Sequence, residues 1–333
     1  MKSVTRVAVV LVAWAICGLL SGVDLTANAA SKTYPDKSRT IEYICPYPEG
    51  GSSSVAGRII CAMLEKEVGI PAQLVIKAGA GGQVGVTELA RSKPDGYTIG
   101  LIVFPTVVTT YNDPDRKAIF SRKSFDLLVS HMKDPGIIAV KADSPYKTLK
   151  EFLEAAKAKP GAIRTTTAGV MSDDHIAAMM TQQAAGVKFA VVHFNGATPG
   201  RVAVLGGHVE AFFGNASEIL GQVRGGQMRI LAVLDDKRSR FYPDVPTATE
   251  LGYPVISGVQ HGVAMPAKSP KEARDFLVEA LKRVVTSQEF TDRMEKVALA
   301  TIYMNPQEYS AFWSEYEKGI VKWIDIAKKE QQK

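Results

Sequence analysis

The chain has 333 residues, of which 46% are hydrophobic and 22% are charged, and its formal net charge at pH 7 is +6. This length exceeds what one small hydrophobic core needs and predicts two domains. Lysine and arginine form no dense block, so we expect no nucleic-acid partner. The mild excess of positive charge is compatible with an anionic ligand.

The N-terminus has the pattern of a secretory signal peptide. Lys2 and Arg6 precede an apolar run over residues 7–20, and small residues before Ala30 suit cleavage at that point. The run is too short for a comfortable transmembrane helix, which disfavours the alternative of an uncleaved membrane anchor. We therefore expect export with loss of residues 1–29, which leaves 38 basic and 33 acidic residues and a net charge of +5.

Short apolar runs alternate with helical segments in the first third of the chain. The helix after the first strand is expected to bury Val55, Ile59 and Met63 and to end near Gly69. Residues 105–124 are polar and are expected to be irregular. The predicted strands cover residues 41–45, 73–77 and 97–103, with a glycine-rich turn over residues 79–85 and a short helix to Ser92 between the last two.

A second series of strands and helices starts near residue 136. Thr148 and Glu151 form a capping box at the start of a helix that Pro160 ends. Asp173 and Asp174 are expected in the first turn of another helix, where carboxylates interact favourably with the helix dipole. The predicted strands of this series cover residues 136–140, 163–167, 187–194, 209–213 and 229–234.

The C-terminal part is expected to contain three helices. Ser269 and Asn305 are the predicted N-caps of two of them, each followed by a proline and, two residues later, by a glutamate. The last helix has a wide apolar stripe, for which we prefer core packing to a cofactor-binding surface. The stripe consists of Tyr309, Phe312, Trp313, Tyr316, Ile320 and Trp323.

The alternation of strands and helices predicts an α/β fold with two parallel or mixed sheets flanked by helices. One domain would comprise residues 30–133 plus 258–333, and the other would comprise residues 134–257. The chain would cross twice between these domains. A cleft would then form between them, faced by the loops at the carboxyl ends of the strands.

Two cysteines follow the predicted signal peptide. Cys45 lies on the first strand and Cys61 on the helix after it, so they could form a disulfide after export. We prefer two buried free thiols, because cysteine often packs as a small hydrophobic residue. The sequence leaves both states open.

Four loops of similar composition follow predicted strands and precede predicted helices. They consist mainly of Gly, Ser, Thr, Ala and Asn and cover residues 47–54, 167–172, 195–198 and 214–217. Such loops present helix N-termini and neutral hydrogen-bond donors to a cleft, without a cluster of titratable groups. This arrangement favours reversible binding of an anion over chemistry on it.

Motifs for cofactors and catalysis are incomplete. Residues 79–85 have the spacing GxGxxxG rather than the GxGxxG of dinucleotide-binding folds, and no phosphate-loop lysine is present. The histidines lack metal-ligand spacing, so we expect neither a metal nor a cofactor. An exported hydrolase that uses Ser53 or Ser54 with His175 remains an alternative, although GxSxG and an orienting carboxylate are both missing from the pattern.

The chain resembles the Bug-type solute receptors of tripartite tricarboxylate transporters in six motifs. These are PYPEGGSSSVAGR (46–58), AGAGGQVG (78–85), ARSKPDGYT (90–98), TTTAGVMSDDH (165–175), VVHFNGATPG (191–200) and PDVPTATELGYP (243–254). The resemblance covers residues 34–325. It implies a periplasmic location and a two-lobed periplasmic-binding-protein clamp, the type II-like Venus flytrap.

The resemblance also implies a function, partners and a binding site. Members of the family bind small organic anions and deliver them to membrane permease subunits, so we expect a monomeric receptor without enzymatic activity. A receptor that serves a signalling sensor remains an alternative. The implied ligand-binding residues are Tyr47, Glu49, Gly50, Gly51, Ser52, Ser53, Ser54, Thr167, Ala168, Gly169, Ser172, His175, Asn195, Asn215 and Gln260.

The chain departs from the family pattern at five positions in this implied site. Ser54 stands in place of an aspartate, Glu49 of a proline, Asn195 of a lysine, Gln260 of a tryptophan and Met171 of a glycine. Loss of the aspartate removes a partner for a ligand ammonium group and reduces repulsion of a second carboxylate. We therefore expect a dicarboxylate or an aromatic carboxylate rather than an amino acid, unless Glu49 points into the cleft.

Overall fold

The computed structural model describes residues 34–331 of the chain. The predicted signal peptide, residues 1–29, lies outside the described residues. From Lys37 onward the chain forms one compact unit. Within the described residues, no helix combines the length and the apolar character needed to span a membrane.

The N-terminal elements match the predicted strands closely and differ in one helix. Val107 and Val108 are buried in a helix where the sequence predicted irregular structure, because a short apolar segment inside residues 105–124 packs into the core. Two short 3-10 helices follow, Pro114–Arg116 and Arg122–Ser124. The elements are β1 (Ile41–Cys45), α1 (Ser52–Val68), β2 (Ala72–Ile76), α2 (Gln83–Arg91), β3 (Thr98–Phe104) and α3 (Thr106–Asn112).

Helix α1 buries a different face from the predicted one. Ala56, Ile60 and Leu64 are buried, whereas the predicted positions Val55 and Ile59 are only partly buried and Met63 is buried as expected. The reason is the close approach of the helix to the sheet. A Cβ on Gly57 would lie only 2.7 Å from Leu74 Cδ1, so small residues must face β1 and β2.

The middle of the chain follows the predicted order of strands and helices. The Thr148 hydroxyl accepts a hydrogen bond from the Glu151 N–H at 3.2 Å, and Glu151 Oε2 accepts from the Thr148 N–H at 3.2 Å, which confirms the capping box. The elements are β4 (Phe125–Lys141), α4 (Leu149–Ala158), β5 (Arg164–Thr167), α5 (Asp173–Ala185), β6 (Ala190–His193), α6 (Ala197–Leu205), β7 (Ala211–Asn215), α7 (Leu220–Arg224) and β8 (Met228–Leu234).

The C-terminal part contains the three predicted helices and two strands that the prediction missed. Asn305 Oδ1 accepts from the Glu308 N–H at 2.9 Å, so it caps its helix as predicted. Ser269 does not cap, because its hydroxyl donates to the Pro266 carbonyl at 2.7 Å and Pro270 occupies the N-cap position. The elements are β9 (Gly258–Pro266), α8 (Lys271–Val285), α9 (Gln288–Glu295), β10 (Ala300–Met304) and α10 (Pro306–Gln331).

The described residues form one ten-stranded mixed sheet instead of the two predicted sheets. Its main order is β2-β1-β3-β9-β4-β7-β5-β6, and β8 and β10 also pair with β4. The β1–β2, β1–β3, β5–β6 and β5–β7 pairs are parallel, and every recorded pair that involves β4 or β9 is antiparallel. Strand β4 pairs with β9 over residues 125–135 and with β7 and β8 from Gly136 onward, which makes the sheet continuous.

Helix α10 packs its predicted apolar stripe into the core. The ring of Phe104 lies edge-on to Trp313, with centroids 5.0 Å apart, and to Tyr309 at 5.9 Å. The same hydrophobic cluster includes Met171 and Ile176, which belong to the second series of elements. Helix α10 therefore packs against elements of both series.

Cys45 and Cys61 are buried free thiols, as the preferred interpretation of the sequence has it. Burial raises the pKa of both thiols, and that of Cys61 reaches about 12. Both side chains therefore stay neutral and pack as apolar groups at neutral pH.

Candidate functional site

The first part of the site is the segment over residues 47–54, here called loop 1, which connects β1 to α1 and includes the first three residues of α1. Gly50 has a φ of +86°, which favours glycine, and Gly51 is the N-cap of α1. Among the described residues, no side-chain cap hydrogen bond is made at this N-cap. The first N–H groups of α1 are therefore available to an anion, and the helix dipole places partial positive charge beside them.

The serines of loop 1 are partly committed to the loop itself. The Ser54 hydroxyl is fully buried and donates to the Gly51 carbonyl at 3.1 Å. Ser53 is 8% exposed, and Ser52 is half-buried. Ser54 therefore stabilises the turn, whereas Ser52 and Ser53 remain closer to solvent.

Glu49 is exposed and pairs with a cation on α1. Its carboxylate forms a short ion pair with the guanidinium of Arg58. About half of the Glu49 side chain remains in contact with solvent. Arg58 thus neutralises the Glu49 carboxylate. An unpaired carboxylate pointing into the cleft would have favoured an amino acid ligand.

Tyr47 connects loop 1 to neighbouring elements. A side-chain hydrogen bond links its hydroxyl to Thr106, at the start of α3. Burial raises the pKa of Tyr47, with a further contribution from the Asp173 carboxylate and an opposing one from the Arg116 guanidinium. The phenol is thus a neutral hydrogen-bonding group at neutral pH, and it lies within electrostatic reach of α5.

The loop over residues 167–172, here called loop 2, lies between β5 and α5 and uses many of its polar groups internally. The Ser172 hydroxyl caps α5 by accepting from the His175 N–H at 3.2 Å. The Ala168 N–H donates to Asp174 Oδ2 at 2.9 Å, and the Gly169 N–H donates to the Thr167 hydroxyl at 3.4 Å. Loop 2 consequently has fewer free donors than loop 1.

Two histidines hold loop 2 from behind. His175 Nδ1 accepts from the Met171 N–H at 3.1 Å, and His193 Nδ1 lies 2.7 Å from the Thr167 hydroxyl. Burial, together with His193, lowers the pKa of His175 to about 4, so its ring is neutral with the proton on Nε2. Both rings line a groove of about 760 Å³ between α5, β6 and Trp323 of α10.

A cluster of buried carboxyl groups lies behind loop 2, and the sequence analysis had expected none. Asp173 and Asp174 are 7% and 2% exposed, and burial raises the pKa of both carboxyl groups. Burial raises the pKa of Asp134 to about 7 and that of Glu218 to about 8. The cluster is therefore largely uncharged at mildly acidic pH.

Asn215 belongs to this cluster, whereas Gln260 bonds to the sheet and Asn195 lies next to loop 2. Asn215 Nδ2 donates to Asp173 Oδ2 at 2.9 Å. Gln260 donates to the Ser130 hydroxyl at 3.1 Å and to Met304 Sδ at 3.3 Å, so its amide serves the sheet beneath α10. Asn195 is exposed after β6, between Phe194, whose N–H donates to the Thr167 carbonyl at 3.0 Å, and Gly196, whose N–H donates to the Ala168 carbonyl at 3.2 Å.

Contacts between the two series of elements bring the loops together. The Thr109 hydroxyl of α3 donates to the Met171 carbonyl of loop 2 at 3.5 Å. The charge of Asp173 contributes to the raised pKa of Tyr47 in loop 1 and to that of Tyr316 in α10. Helix α3 thus contacts loop 1 through Thr106 and loop 2 through Thr109, and the space beside this end of α3 and the start of α5 is the candidate site.

Four polar residues near this space were not predicted from the sequence. Thr106 and Arg116 lie in the segment predicted to be irregular, and Asp134 lies inside the apolar strand β4. Glu218 follows the predicted loop at residues 214–217, and its Oε2 accepts from the Asn215 N–H at 2.8 Å. Only Glu218 had a local signal, the capping-box spacing from Asn215.

Comparison with known families identifies the kind of protein that carries this site. Residues 56–329 match the model of the tripartite tricarboxylate transporter family receptor. The chain belongs to this family. The receptor is 30% identical to Protein BugT of Bordetella pertussis over 254 residues, which cover 72% of the receptor and 74% of BugT.

Solved structures of related receptors share the fold. A TctC solute binding protein from Polaromonas, without ligand, is 30% identical with a TM-score of 0.73, and the match covers 88% of this receptor and 99% of that chain. The periplasmic binding protein BugD is 25% identical with a TM-score of 0.76, covering 88% and 98% of the two chains. The predicted α/β periplasmic-binding-protein fold and the Bug-type resemblance are confirmed.

Proposed function

We propose that the receptor captures a small organic anion, a dicarboxylate or an aromatic carboxylate, in a cleft between loops 1 and 2. The N-terminus of α1 carries this proposal, because its N-cap residue, Gly51, makes no side-chain cap hydrogen bond. The N–H groups of Ser52 and Ser53 would hold one carboxylate, and the neutral Tyr47 hydroxyl would donate to it. Gly169 of loop 2 would contact the ligand from the other side.

The rest of the proposed function concerns location and transport. We propose that the receptor acts as a monomer in the periplasm and delivers its ligand to the membrane permease subunits of a tripartite transporter. Its family and the export pattern of residues 1–29 support this. The domain of residues 134–257 would close against the remainder of the chain, and closure needs a ligand that contacts both sides.

Two more distant proteins of the same fold guide the choice of test ligands. The R. palustris protein Rpa4515, solved with adipate, is 21% identical with a TM-score of 0.78. MatC from Rhodopseudomonas palustris, solved with bound malate, is 22% identical with a TM-score of 0.74. At these identities the likeness concerns the fold alone, so adipate and malate enter only as probes.

The alternative of a serine hydrolase gains no support from the site. The Ser54 hydroxyl donates to the Gly51 carbonyl, and His175 Nδ1 accepts from the Met171 N–H. Among the described residues, no hydrogen bond joins Ser53 or Ser54 to His175. Steady consumption of an ester or amide by the wild-type protein, lost in Ser53→Ala, would nevertheless contradict the receptor function.

A thermal-shift screen of carboxylic and amino acids tests the proposal. A ligand present at 100 times its Kd should stabilise the folded receptor by about 2.7 kcal/mol. We expect shifts with adipate, malate or aromatic acids and smaller shifts with amino acids. Stabilisation by amino acids alone would contradict the proposed ligand class.

Substitution of Ser53 by valine tests the loop. The added methyl groups would obstruct the N-terminal N–H groups of α1, so Ser53→Val should abolish the ligand-induced shift. Thr249→Val, an exposed residue in a turn away from the loops, serves as the matched control and should keep it. Ligand-free melting curves establish that both variants fold, and retained binding in a folded Ser53→Val would exclude loop 1 as the binding site.

A further inference from the structure

Arg116 lies beside loop 1 although it is distant from it in sequence. It ends the 3-10 helix Pro114–Arg116, and its Nη2 is 3.2 Å from the position that a Cβ on Gly81 would occupy. A Cβ on the next residue, Gly82, would lie 3.0 Å from the Tyr47 hydroxyl oxygen. The guanidinium and the hydroxyl therefore approach neighbouring residues of one turn.

A hydrogen bond holds the main chain of Arg116, but no described carboxylate pairs with its guanidinium. Gln83 Nε2 donates to the Arg116 carbonyl at 2.9 Å. The nearby acids Asp113 and Asp115 instead pair with Lys328 of α10, at 2.7 and 2.8 Å. Among residues 34–331, no carboxylate lies within ion-pair distance of the Arg116 guanidinium, which is half-buried.

The charge of Arg116 acts on the same space as loop 1. The Arg116 guanidinium lowers the pKa of the Tyr47 hydroxyl, whereas burial and the Asp173 carboxylate raise it. Partial burial of an arginine without a counterion costs free energy. A planar anion that pairs with the guanidinium would offset this cost. A ligand carboxylate supplies this partner, because its two oxygens match the guanidinium fork.

We propose that Arg116 is a specificity-determining residue whose guanidinium binds the second carboxylate of a dicarboxylate ligand. This inference rests on the proposed function, in which the N-terminus of α1 holds the first carboxylate. It narrows the ligand from a dicarboxylate or aromatic acid to a dicarboxylate. A monocarboxylate of the same length leaves Arg116 unpaired and binds more weakly.

Matched ligands and matched variants test this assignment. The affinities of adipate and hexanoate, and of other linear dicarboxylates with their monocarboxylate counterparts, are measured by calorimetry for wild type, Arg116→Gln and Lys117→Gln. We expect Arg116→Gln to weaken the dicarboxylates by about 10-fold or more and the monocarboxylates by less than about 2-fold. Lys117 is exposed and adjacent in sequence, so Lys117→Gln makes the same charge change and should leave both ligand classes within about 2-fold.

The ratio of the two affinities separates recognition from structure. Equal weakening of both ligand classes in Arg116→Gln, or no weakening of either, would overturn the role of Arg116 while leaving the proposed function intact. If wild type binds no carboxylate of any class, the proposed function fails and this inference fails with it. Arg116→Lys keeps the charge without the fork and should retain part of the dicarboxylate preference, which provides the measurement if Arg116→Gln does not fold.

Discussion

Loops 1 and 2 have similar composition and the same position between a parallel strand and a helix, yet the structure gives them different properties. Loop 1 leaves the N-terminus of α1 uncapped and keeps its acid, Glu49, outside in an ion pair. Loop 2 caps α5 with Ser172 and directs its donors to internal partners. A strand–turn–helix unit rich in glycine and serine therefore does not by itself identify a binding surface.

The difference lies in what is buried behind each loop. Residues with small side chains, such as Gly57 and Ala56, lie against the sheet behind loop 1. Behind loop 2 lie carboxyl groups and two histidines that need partners, and the loop supplies several of them. Loop 1 consequently keeps free N–H groups that could bind a ligand, whereas loop 2 uses its N–H groups to bind the residues behind it.

The largest expected effect is a pH dependence of the receptor's stability, caused by the buried carboxyl groups behind loop 2. Burial raises the pKa of Asp134 to about 7 and that of Glu218 to about 8, so the folded receptor keeps protons that the unfolded chain has released. The free energy of unfolding should therefore fall as the pH rises from about 5 to about 8. A shift of about three pKa units corresponds to at most about 4 kcal/mol per group.

Urea unfolding of the ligand-free receptor across this pH range measures the effect. Asp134→Asn and Glu218→Gln should each reduce the slope, because the amides do not titrate. Glu49→Gln in loop 1 is the control and should leave the slope unchanged. A flat profile for the wild type would mean that water or a cation compensates the buried carboxyl groups.

A smaller effect is expected from the histidine that supports loop 2. His175→Ala removes the acceptor of the Met171 N–H and leaves space beside His193, which should cost about 2 to 3 kcal/mol. His208 is exposed in a turn, so His208→Ala should stay within about 0.5 kcal/mol of wild type. Chemical denaturation compares the two, and equal values would refute a supporting role for His175.

The smallest effect is expected at loop 1 itself. Glu49→Gln breaks an exposed ion pair with Arg58, which should change stability by less than about 1 kcal/mol. Carboxylate affinity should change less than about 2-fold, because the Glu49 carboxylate is exposed and paired with Arg58. A gain of 10-fold or more would show that the Glu49 carboxylate enters the cleft when a ligand is bound.

Local patterns in the sequence were sufficient for much of the fold. Capping boxes such as Thr148–Glu151, and the glycine and proline positions, located most helices and strands to within a few residues. The buried strand β9 lacks alternation between apolar and polar residues, and β10 is only half-buried, so neither has the usual pattern of a strand. The division into two domains stays a prediction.

The candidate site could be predicted less completely. Loop 1 was recognisable because an anion site at a helix N-terminus needs only local chain. Arg116 and Asp134 depend on tertiary contacts, since one reaches a turn more than thirty positions earlier in the chain and the other lies in an apolar strand. Gln260 was assigned by its position in the family pattern, and its hydrogen bonds to Ser130 and Met304 depend on the pairing of strands far apart in sequence.

Strand β4 has a consequence for how this receptor can be divided. Because one uninterrupted strand pairs with β9 along its first part and with β7 and β8 along its second, any cut near Pro135 separates residues that share a backbone ladder. A fragment that starts at residue 134 would expose fresh, unpaired strand edges, which favour aggregation. Residues 134–257 are thus not expected to fold as a separate fragment. Chimaeras between receptors should therefore exchange loops and keep β4 intact.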